Sequence, residues 1–251
     1  MFKMFPVLLT AALVACTQSP TTPYPVSTFS KPGAGKAQAV SAYMIHHGSI
    51  ALEYEGFWIQ VDPVAKMGGT EIDYSCFPKA DCILVTHEHG DHLDPGAIDL
   101  LAKEDTRLIL NPSSHDKLGR GEVVSNGESL ELGLCKLTAV PAYNNSEGHL
   151  NFHPKGRDNG YILDFKGLRI YVSGDTEDIE EMASYGPVDV AFLSANQPYT
   201  MTPEQCVRAA LALKPRILVP YHLSNTDVQS IKSALDAQGS GIEVLLFEEL
   251  R

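Results

Sequence analysis

Apolar and polar positions alternate in short blocks along most of the chain, and turn residues separate the blocks. In the first half, this pattern predicts strands over residues 40–46, 50–54, 57–61, 81–86, 107–111, 123–124 and 135–140. Glu55-Gly56 is the expected hairpin turn between the second and the third of these strands. A helix is predicted over residues 95–103, because Asp94 can cap its N-terminus and Pro95 suits its first position.

The second half repeats this plan. Strands are predicted over residues 161–165, 169–172, 189–194, 217–220 and 242–247, and helices over residues 203–213 and 226–238. Thr202-Pro203 marks the start of the first helix, and Lys166-Gly167 is a hairpin turn. Hairpins followed by strand–helix alternation, twice over, predict an α+β fold in which two similar halves pack sheet against sheet with helices outside.

The N-terminal segment differs in composition from the rest. Residues 4–15 form an apolar run after Lys3, too short to span a bilayer and typical of a signal peptide. Leu13-Val14-Ala15-Cys16 resembles a bacterial lipobox, which implies cleavage before Cys16 and lipidation of its thiol; the alternative is a plain secretory signal. Residues 16–38, rich in Ser, Thr and Pro, are predicted to be a flexible tether. We therefore expect residues 39–251 to form a lipid-anchored domain in a bacterial cell envelope, on the periplasmic or outer-membrane side.

Composition narrows the classes of partner. The formal net charge is −12, which argues against nucleic acid, since binding it needs clustered Lys and Arg. Hydrophobic residues at 44% and charged residues at 20% describe an ordinary globular domain. An extracytoplasmic location permits disulfides, but the spacing assigns no pairing and no metal site to the cysteines that follow the lipobox: Cys76, Cys82, Cys135 and Cys206.

The most informative motif follows the strand predicted over residues 81–86. It places three imidazoles and a carboxylate within six positions: His87, His89, Asp91 and His92. Neutral imidazole and ionised carboxylate are ligands that Zn²⁺ and similar divalent ions accept. The strand-then-loop context and the density of donors predict a metal site at this strand end.

Three further residues occur where additional ligands would be expected, beside predicted strands. Asp175 follows the strand predicted over residues 169–172, although it could instead cap the stretch that begins at Glu177. His222 follows the strand over residues 217–220, where a core histidine is the alternative. His153 precedes the second-half hairpin and could instead lie in a surface loop.

Taken together, these residues resemble the metallo-β-lactamase superfamily in order and separation, and the resemblance covers nearly all of residues 40–251. It implies a four-layer αββα sandwich, which agrees with the two-half pattern. Several stretches are similar to the UlaG-like branch of metal-dependent hydrolases, which includes an ascorbate-6-phosphate lactonase and has N-acyl-phosphatidylethanolamine phospholipase D as a more distant relative. These stretches are Pro141-Ala142-Tyr143-Asn144, His153-Pro154-Lys155-Gly156, Gly160-Tyr161, Ser173-Gly174-Asp175-Thr176 and Val219-Pro220-Tyr221-His222.

The resemblance also implies how the ligands divide between two metal ions. The first ion would take His87, His89 and His153, the second would take Asp91, His92 and His222, and Asp175 would bridge both.

Three more residues near this set are candidates for the site. His149 lies in the same loop as His153 and could replace it, although His153 has the family context. Asp62 matches a family position that orients a ligand histidine from behind. His47 is either a substrate contact or a plain strand-end residue.

The implied cofactors are two divalent ions, Zn²⁺ by expectation, with Mn²⁺ or Fe as alternatives. They would hold a hydroxide that attacks an ester, lactone or phosphodiester, while Asp91 or Asp175 moves a proton to the leaving group. The expected partner is a small-molecule or lipid substrate. Two alternatives remain: a lipid phosphodiesterase similar to phospholipase D, and a non-catalytic metal-binding surface protein.

Overall fold

The structure, a computed structural model, describes residues 21–33 and 38–251. The predicted signal peptide and Cys16 lie outside the described residues. Two seven-stranded sheets dominate the described part. The first is formed by β1 Val26–Phe29, β2 Val40–His46, β3 Ser49–Tyr54, β4 Phe57–Val61, β7 Cys82–Val85, β8 Arg107–Leu110 and β9 Glu122–Val123, in this order across the sheet.

The second sheet comes entirely from the later part of the chain, again in chain order. It consists of β10 Ser129–Glu131, β11 Lys136–Ala142, β12 Asp158–Phe165, β13 Leu168–Val172, β14 Val190–Ser194, β15 Ile217–Tyr221 and β16 Glu243–Val244. A small ribbon joins β5 Lys66–Met67 to β6 Thr70–Glu71. The helices are α1 Pro95–Leu101, α2 Pro112–Leu118, α3 Pro203–Leu213 and α4 Val228–Ala237. None of these described helices is long and apolar enough to cross a membrane.

Alternation along the strands explains why the sheets stack. In β3, Ile50 and Leu52 point into the core shared with the second sheet, whereas Ala51 between them belongs to a separate outer core. Successive side chains of a strand point to opposite faces, so both faces of this sheet are covered. The inner core also takes Leu163 and Ile170 from the second sheet, and apolar burial between the sheets holds the two halves together.

Helices cover the outer faces. Ala97 and Ile98 of α1 pack with Ile83 on the outside of the first sheet. On the second sheet, α3 contacts β14 and α4, and its first turn is fixed by a capping box between Thr202 and Gln205. The predicted α+β fold with two sheets and outer helices, the metallo-β-lactamase fold, is confirmed.

The segment predicted as a flexible tether contains a correction. Residues Val26–Phe29 form β1, an edge strand paired antiparallel with β2, so the prediction of a tether over residues 16–38 is wrong for this stretch. Phe29 is buried and packs edge-on against Phe192, and the ring of Tyr24 stacks on Phe77 at 5.7 Å. A few apolar side chains with places in existing cores are enough to order a segment of polar composition.

The β5–β6 ribbon and strand β10 were not predicted, and a helix and the last strand also differ from prediction. Helix α2 was not predicted, although Asn111 caps it and Pro112 occupies its first position. The final predicted strand, over residues 242–247, is reduced to Glu243–Val244 and gives way to a 3₁₀ turn at Glu248–Leu250.

Candidate metal centre

The carboxyl ends of parallel strands gather the predicted residues at one edge of the sandwich. In the first sheet, β4 and β7 run parallel and are followed by Asp62 and by the motif that starts at His87. In the second sheet, β13, β14 and β15 run parallel, and Asp175 and His222 lie just beyond β13 and β15. Both halves therefore present their strand ends to a common site.

Gly174 allows the backbone to come close enough for Asp175 to reach this site. Its φ of +60° lies in the left-handed region, and a Cβ there would stand 2.7 Å from the carbonyl oxygen of Asn159. That Cβ would also stand 3.1 Å from Cβ of Thr86, which immediately precedes the histidine motif. Glycine is thus needed where the two halves meet.

One group of ligand atoms is purely imidazole. His87, His89 and His153 each offer a ring nitrogen, and these atoms lie within 4.8 Å of one another. The closest pair is His87 Nε2 and His89 Nδ1 at 3.1 Å. The structure thus brings together the three residues predicted for the first ion.

The Asp175 carboxylate lies between this group and the remaining histidines. Its Oδ2 is 3.4 Å from Nε2 of His153 and 3.3 Å from Nε2 of His222. Its Oδ1 is 3.4 Å from Nε2 of His92. Asp175 does not cap a helix, because the next helical turn, Glu180–Ser184, begins after Ile179.

The residues predicted for the second ion also converge. Asp91 Oδ2 is 3.4 Å from Nε2 of His222 and 3.8 Å from Nε2 of His92. His47 joins them, with Nε2 at 3.7 Å from the same oxygen and its ring centroid 3.7 Å from that of His222. His47 was predicted as a substrate contact or a plain strand-end residue; its distances to Asp91 and His222 are those of a ligand group.

A second set of side chains orients the histidines from behind. Asp62 is fully buried and its Oδ2 lies 2.8 Å from Nδ1 of His92. Asp158 Oδ2 lies 2.9 Å from Nδ1 of His153. No sequence pattern indicated this role for Asp158. It lies at the start of β12 and faces His153 only because the loop between the two residues turns back.

His149, the alternative to His153, has another partner. Its Nδ1 lies 3.1 Å from Oε1 of Glu177, a carboxylate whose side chain is completely buried. Glu177 also accepts the backbone N–H groups of Asn145 and Ser146 and so fixes the loop that leads to His153. Sequence reasoning missed Glu177, whose nearest signal is its position two residues after Asp175.

Charge in the cluster favours cation binding. Burial and the neighbouring His92 hold the pKa of His87 well below its usual value, so this imidazole is neutral and can donate a nitrogen lone pair. Burial opposes ionisation of Asp175, but the imidazoles of His222 and His92 outweigh it and keep the pKa of Asp175 well below its usual range. Burial lowers the pKa of His47 to about 4.

The residues fit divalent ions on independent structural grounds. Among the described residues, His92 Nε2, His222 Nε2 and Asp175 Oδ1 are buried without a hydrogen-bond partner. Burial of polar atoms without partners is costly, and all three atoms face the same cluster. Cations coordinated there would satisfy them with the nitrogen and oxygen donors that Zn²⁺, Mn²⁺ or Fe²⁺ accept.

The cluster forms the floor of a cavity of about 450 Å³. Its walls come from Met67 of the β5–β6 ribbon, Phe152 beside His153, and Asn196, Tyr199 and Ser224 from the loops after β14 and β15. A volume of this size suits a small-molecule ligand.

The four cysteines of the described part are free thiols. Cys82, Cys135 and Cys206 are buried and Cys76 is half-buried. Burial raises the pKa of Cys135 and Cys206 to about 12, so these thiols are protonated and inert.

Comparison with known proteins identifies the family. The profile of the Beta-lactamase superfamily domain matches residues 42–222. A UPF0173 metal-dependent hydrolase from Archaeoglobus fulgidus is 30% identical over 185 residues, covering 68% of this chain and 80% of the relative. One from Thermococcus onnurineus is 32% identical over 154 residues, covering 57% of this chain and 67% of the relative.

Solved structures agree. A protein from Parabacteroides distasonis, described as a metal-dependent hydrolase, is 47% identical with a TM-score of 0.84, covering 91% of this chain and 100% of that one. A metallo hydrolase from Ignicoccus hospitalis shares the fold at 22% identity, with a TM-score of 0.71 over 84% of this chain and 96% of the other. The chain therefore belongs to the β-lactamase superfamily and, within it, to the UPF0173 family of metal-dependent hydrolases.

Proposed function

We propose that this hydrolase holds two divalent cations, Zn²⁺ in the first instance, and cleaves an ester, a lactone or a phosphodiester. The observation that carries the proposal is the place of Asp175, whose Oδ2 lies 3.4 Å from His153 and 3.3 Å from His222. One carboxylate between two groups of imidazoles is the arrangement that a bridging ligand requires. A single structural ion needs only four ligands, so the seven predicted ligands would be surplus to it.

Bound cations would supply the chemistry by lowering the pKa of a coordinated water and polarising the scissile oxygen of the substrate. The residues supply position. His87, His89, His153 and Asp175 would hold the first cation, and Asp91, His92, His222 and Asp175 the second, with His47 beside them.

Asp91 is the residue best placed to exchange a proton with substrate. Both carboxylates line the cavity, but the side chain of Asp91 is 36% exposed and that of Asp175 only 2%. Asp91 could therefore pass a proton to a leaving group in the cavity, while Asp175 is confined to a ligand role. On this proposal the two carboxylates, which the sequence leaves equivalent, would have different roles.

The test is a metal and activity assay on purified protein. We expect about two divalent ions per chain and cleavage of p-nitrophenyl esters or of bis-p-nitrophenyl phosphate, both abolished by chelation and restored by Zn²⁺ or Mn²⁺. Asp175→Ala should lower metal content and rate together. The proposal would be contradicted by folded protein that binds no divalent ion and gains no activity when divalent ions are added.

The N-terminal segment adds a proposal on location. We infer from the lipobox-like Leu13-Val14-Ala15-Cys16 that the mature chain carries lipid on Cys16 and stays attached to a bacterial envelope membrane. Likeness to the UlaG-like branch remains a proposal too, based on the stretches around His153 and His222.

A further inference from the structure

The walls of the cavity differ in character from its floor. The floor consists of imidazoles and the carboxylates of Asp91 and Asp175, all assigned to the metal centre. The walls above consist of three apolar or aromatic side chains and two neutral polar ones: Met67, Phe152, Tyr199, Asn196 and Ser224. Within the described residues, no Lys or Arg lines this cavity.

The basic side chains that lie nearest to the wall residues, in sequence or through hydrogen bonds, pair with other groups. Lys66, next to Met67, pairs with Glu71 at 3.2 Å. Arg157 binds Asp158 at 2.7 Å and Glu88 at 3.2 Å.

Two more cations nearby are similarly engaged. Lys155 lies 3.0 Å from both the hydroxyl of Tyr143 and Oε1 of Glu181. Arg251, which donates to the carbonyl oxygen of Ser224, lies 2.6 Å from Glu248. A second anionic group on a substrate would therefore meet no free cation in the wall.

The aromatic part of the wall is already formed. The rings of Phe152 and Tyr199 meet edge to face at 5.0 Å. Asn144 ties their two loops together, since its backbone N–H donates to the carbonyl of His153 and its side chain donates to the carbonyl of Tyr199, both at 2.8 Å. Tyr199 remains 46% exposed, so apolar surface is left for a ligand to cover.

We infer that the cavity selects substrates whose portion beyond the scissile bond is an uncharged, apolar acyl or aryl group, and that it discriminates against a second carboxylate or phosphate. The inference rests on the proposed function and narrows its substrate class. Placing a negative charge against Phe152 and Tyr199 would desolvate it without a basic side chain to pair with, whereas an apolar group gains from the same contact. The formal net charge of −12 acts in the same direction.

A binding experiment tests this without requiring turnover. Hexanohydroxamic acid and adipic acid monohydroxamate present the same metal-binding group on tails of the same length, and only the second ends in a carboxylate. On the Zn²⁺-loaded full-length chain, isothermal titration calorimetry should give a dissociation constant at least about 10-fold lower for the uncharged tail. Equal affinities, or tighter binding of the carboxylate, would overturn the inference.

Two substitutions test whether the wall of the cavity causes this selectivity. Tyr199→Lys should reduce the ratio of dissociation constants by about 5-fold or more, because it places a cation at the wall. Leu100→Lys is the matched control: Leu100 is 59% exposed on α1, outside the cavity lining, and the ratio should not change. A ratio that responds equally to both substitutions would assign the effect to overall charge and refute a role for the wall.

A kinetic arm separates this inference from the proposed function. After subtraction of the uncatalysed rate, which the neighbouring carboxylate accelerates in the glutarate, p-nitrophenyl butyrate should show a higher kcat/KM than mono-p-nitrophenyl glutarate. Hydroxamate selectivity without ester or phosphodiester turnover would refute the proposed function and leave the inference standing; turnover without selectivity would do the reverse. Comparing the butyrate in solution with p-nitrophenyl palmitate in phosphatidylcholine vesicles shows whether the apolar substrate is a soluble small molecule or a lipid held in a membrane. Preferred cleavage of either supports the inference.

Discussion

Asp62 and His92, thirty residues apart in the sequence, meet at 2.8 Å between a carboxylate oxygen and Nδ1, with both side chains fully buried. The same carboxylate accepts the backbone N–H and the hydroxyl of Thr86, each at 2.7 Å. Asp62 therefore fixes both the ring of His92 and the start of the histidine motif.

The first prediction concerns this pair. Asp62→Asn should weaken binding of the proposed second cation by about 10- to 100-fold. If the amide oxygen keeps the Thr86 N–H, the NH₂ group faces Nδ1 of His92 and cannot accept the proton that leaves Nε2 free as a ligand. Titration with Zn²⁺ in competition with a chromophoric chelator measures the change. Asp81→Asn is the control, since Asp81 also accepts a backbone N–H, from Trp58, but lies away from the site. Equal losses in both variants would count against an orienting role.

A second prediction separates two histidines of one loop. His153→Ala should remove about one equivalent of metal, because its Nε2 lies in the cluster with His87 and His89. His149→Ala should keep full metal content, because His149 contacts Glu177 instead. Elemental analysis of both purified variants by mass spectrometry decides. The opposite pattern of metal loss would return His149 to the site.

A third prediction concerns the carboxylate between the two groups. Asp175→Asn should lower the metal content from the proposed two ions and reduce kcat by about 100-fold or more, since this side chain would serve both ions. Circular dichroism should show that the variant still folds. Retention of two ions and full activity would rule out a bridging role.

A fourth prediction concerns Gly174. Gly174→Ala should destabilise the fold by about 2 kcal/mol or more, since it combines positive-φ strain with a collision at the Asn159 carbonyl. Gly127→Ala is matched, because Gly127 also has a positive φ, of +90°, but a Cβ there meets nothing within 4 Å. Urea unfolding gives the free energy of unfolding of both variants, and the difference between them measures the cost of the collision. If the two losses are the same, backbone strain alone explains them.

A fifth prediction concerns location. Cys16→Ser should move the protein from the membrane fraction to the soluble fraction of cells that express the full chain, because it removes the thiol that would carry lipid. Immunoblotting of fractionated cells measures this. Cys76→Ser, a half-buried cysteine of the domain, should remain in the membrane fraction. Full membrane retention of the Cys16 variant would disprove lipid anchoring through this residue.

Much of the fold could be predicted because strand and turn signals are local. Strand β2 occupies Val40–His46 and helix α3 ends at Leu213, as the pattern of apolar residues indicates. The motif residues could be placed together for a related reason: each follows a strand, and carboxyl ends of parallel strands share an edge. Local pattern and sheet geometry thus bring His87, Asp175 and His222 together.

What could not be predicted depends on tertiary contacts. The residue pattern alone leaves His149 and His153 open, and only the family context favours His153; in the structure, Glu177 holds the ring of His149 and Asp158 that of His153. Neither carboxylate has a sequence signature, since its partner lies across a loop of irregular shape. The edge strand Val26–Phe29 was not predicted for the same reason: the segment around it is polar, and it is ordered by pairing with β2 and by burial of Phe29 against Phe192.

That edge strand also sets a distance. Because Tyr24 already stacks on Phe77 and Val26 begins the pairing with β2, a lipid on Cys16 would be joined to the folded domain by about 8 residues, a span of about 30 Å at full extension. A tether reaching to residue 38 would have allowed more than twice that. An anchored domain would thus work within roughly its own diameter of the membrane surface, and would encounter substrates that collect there before those dilute in the bulk.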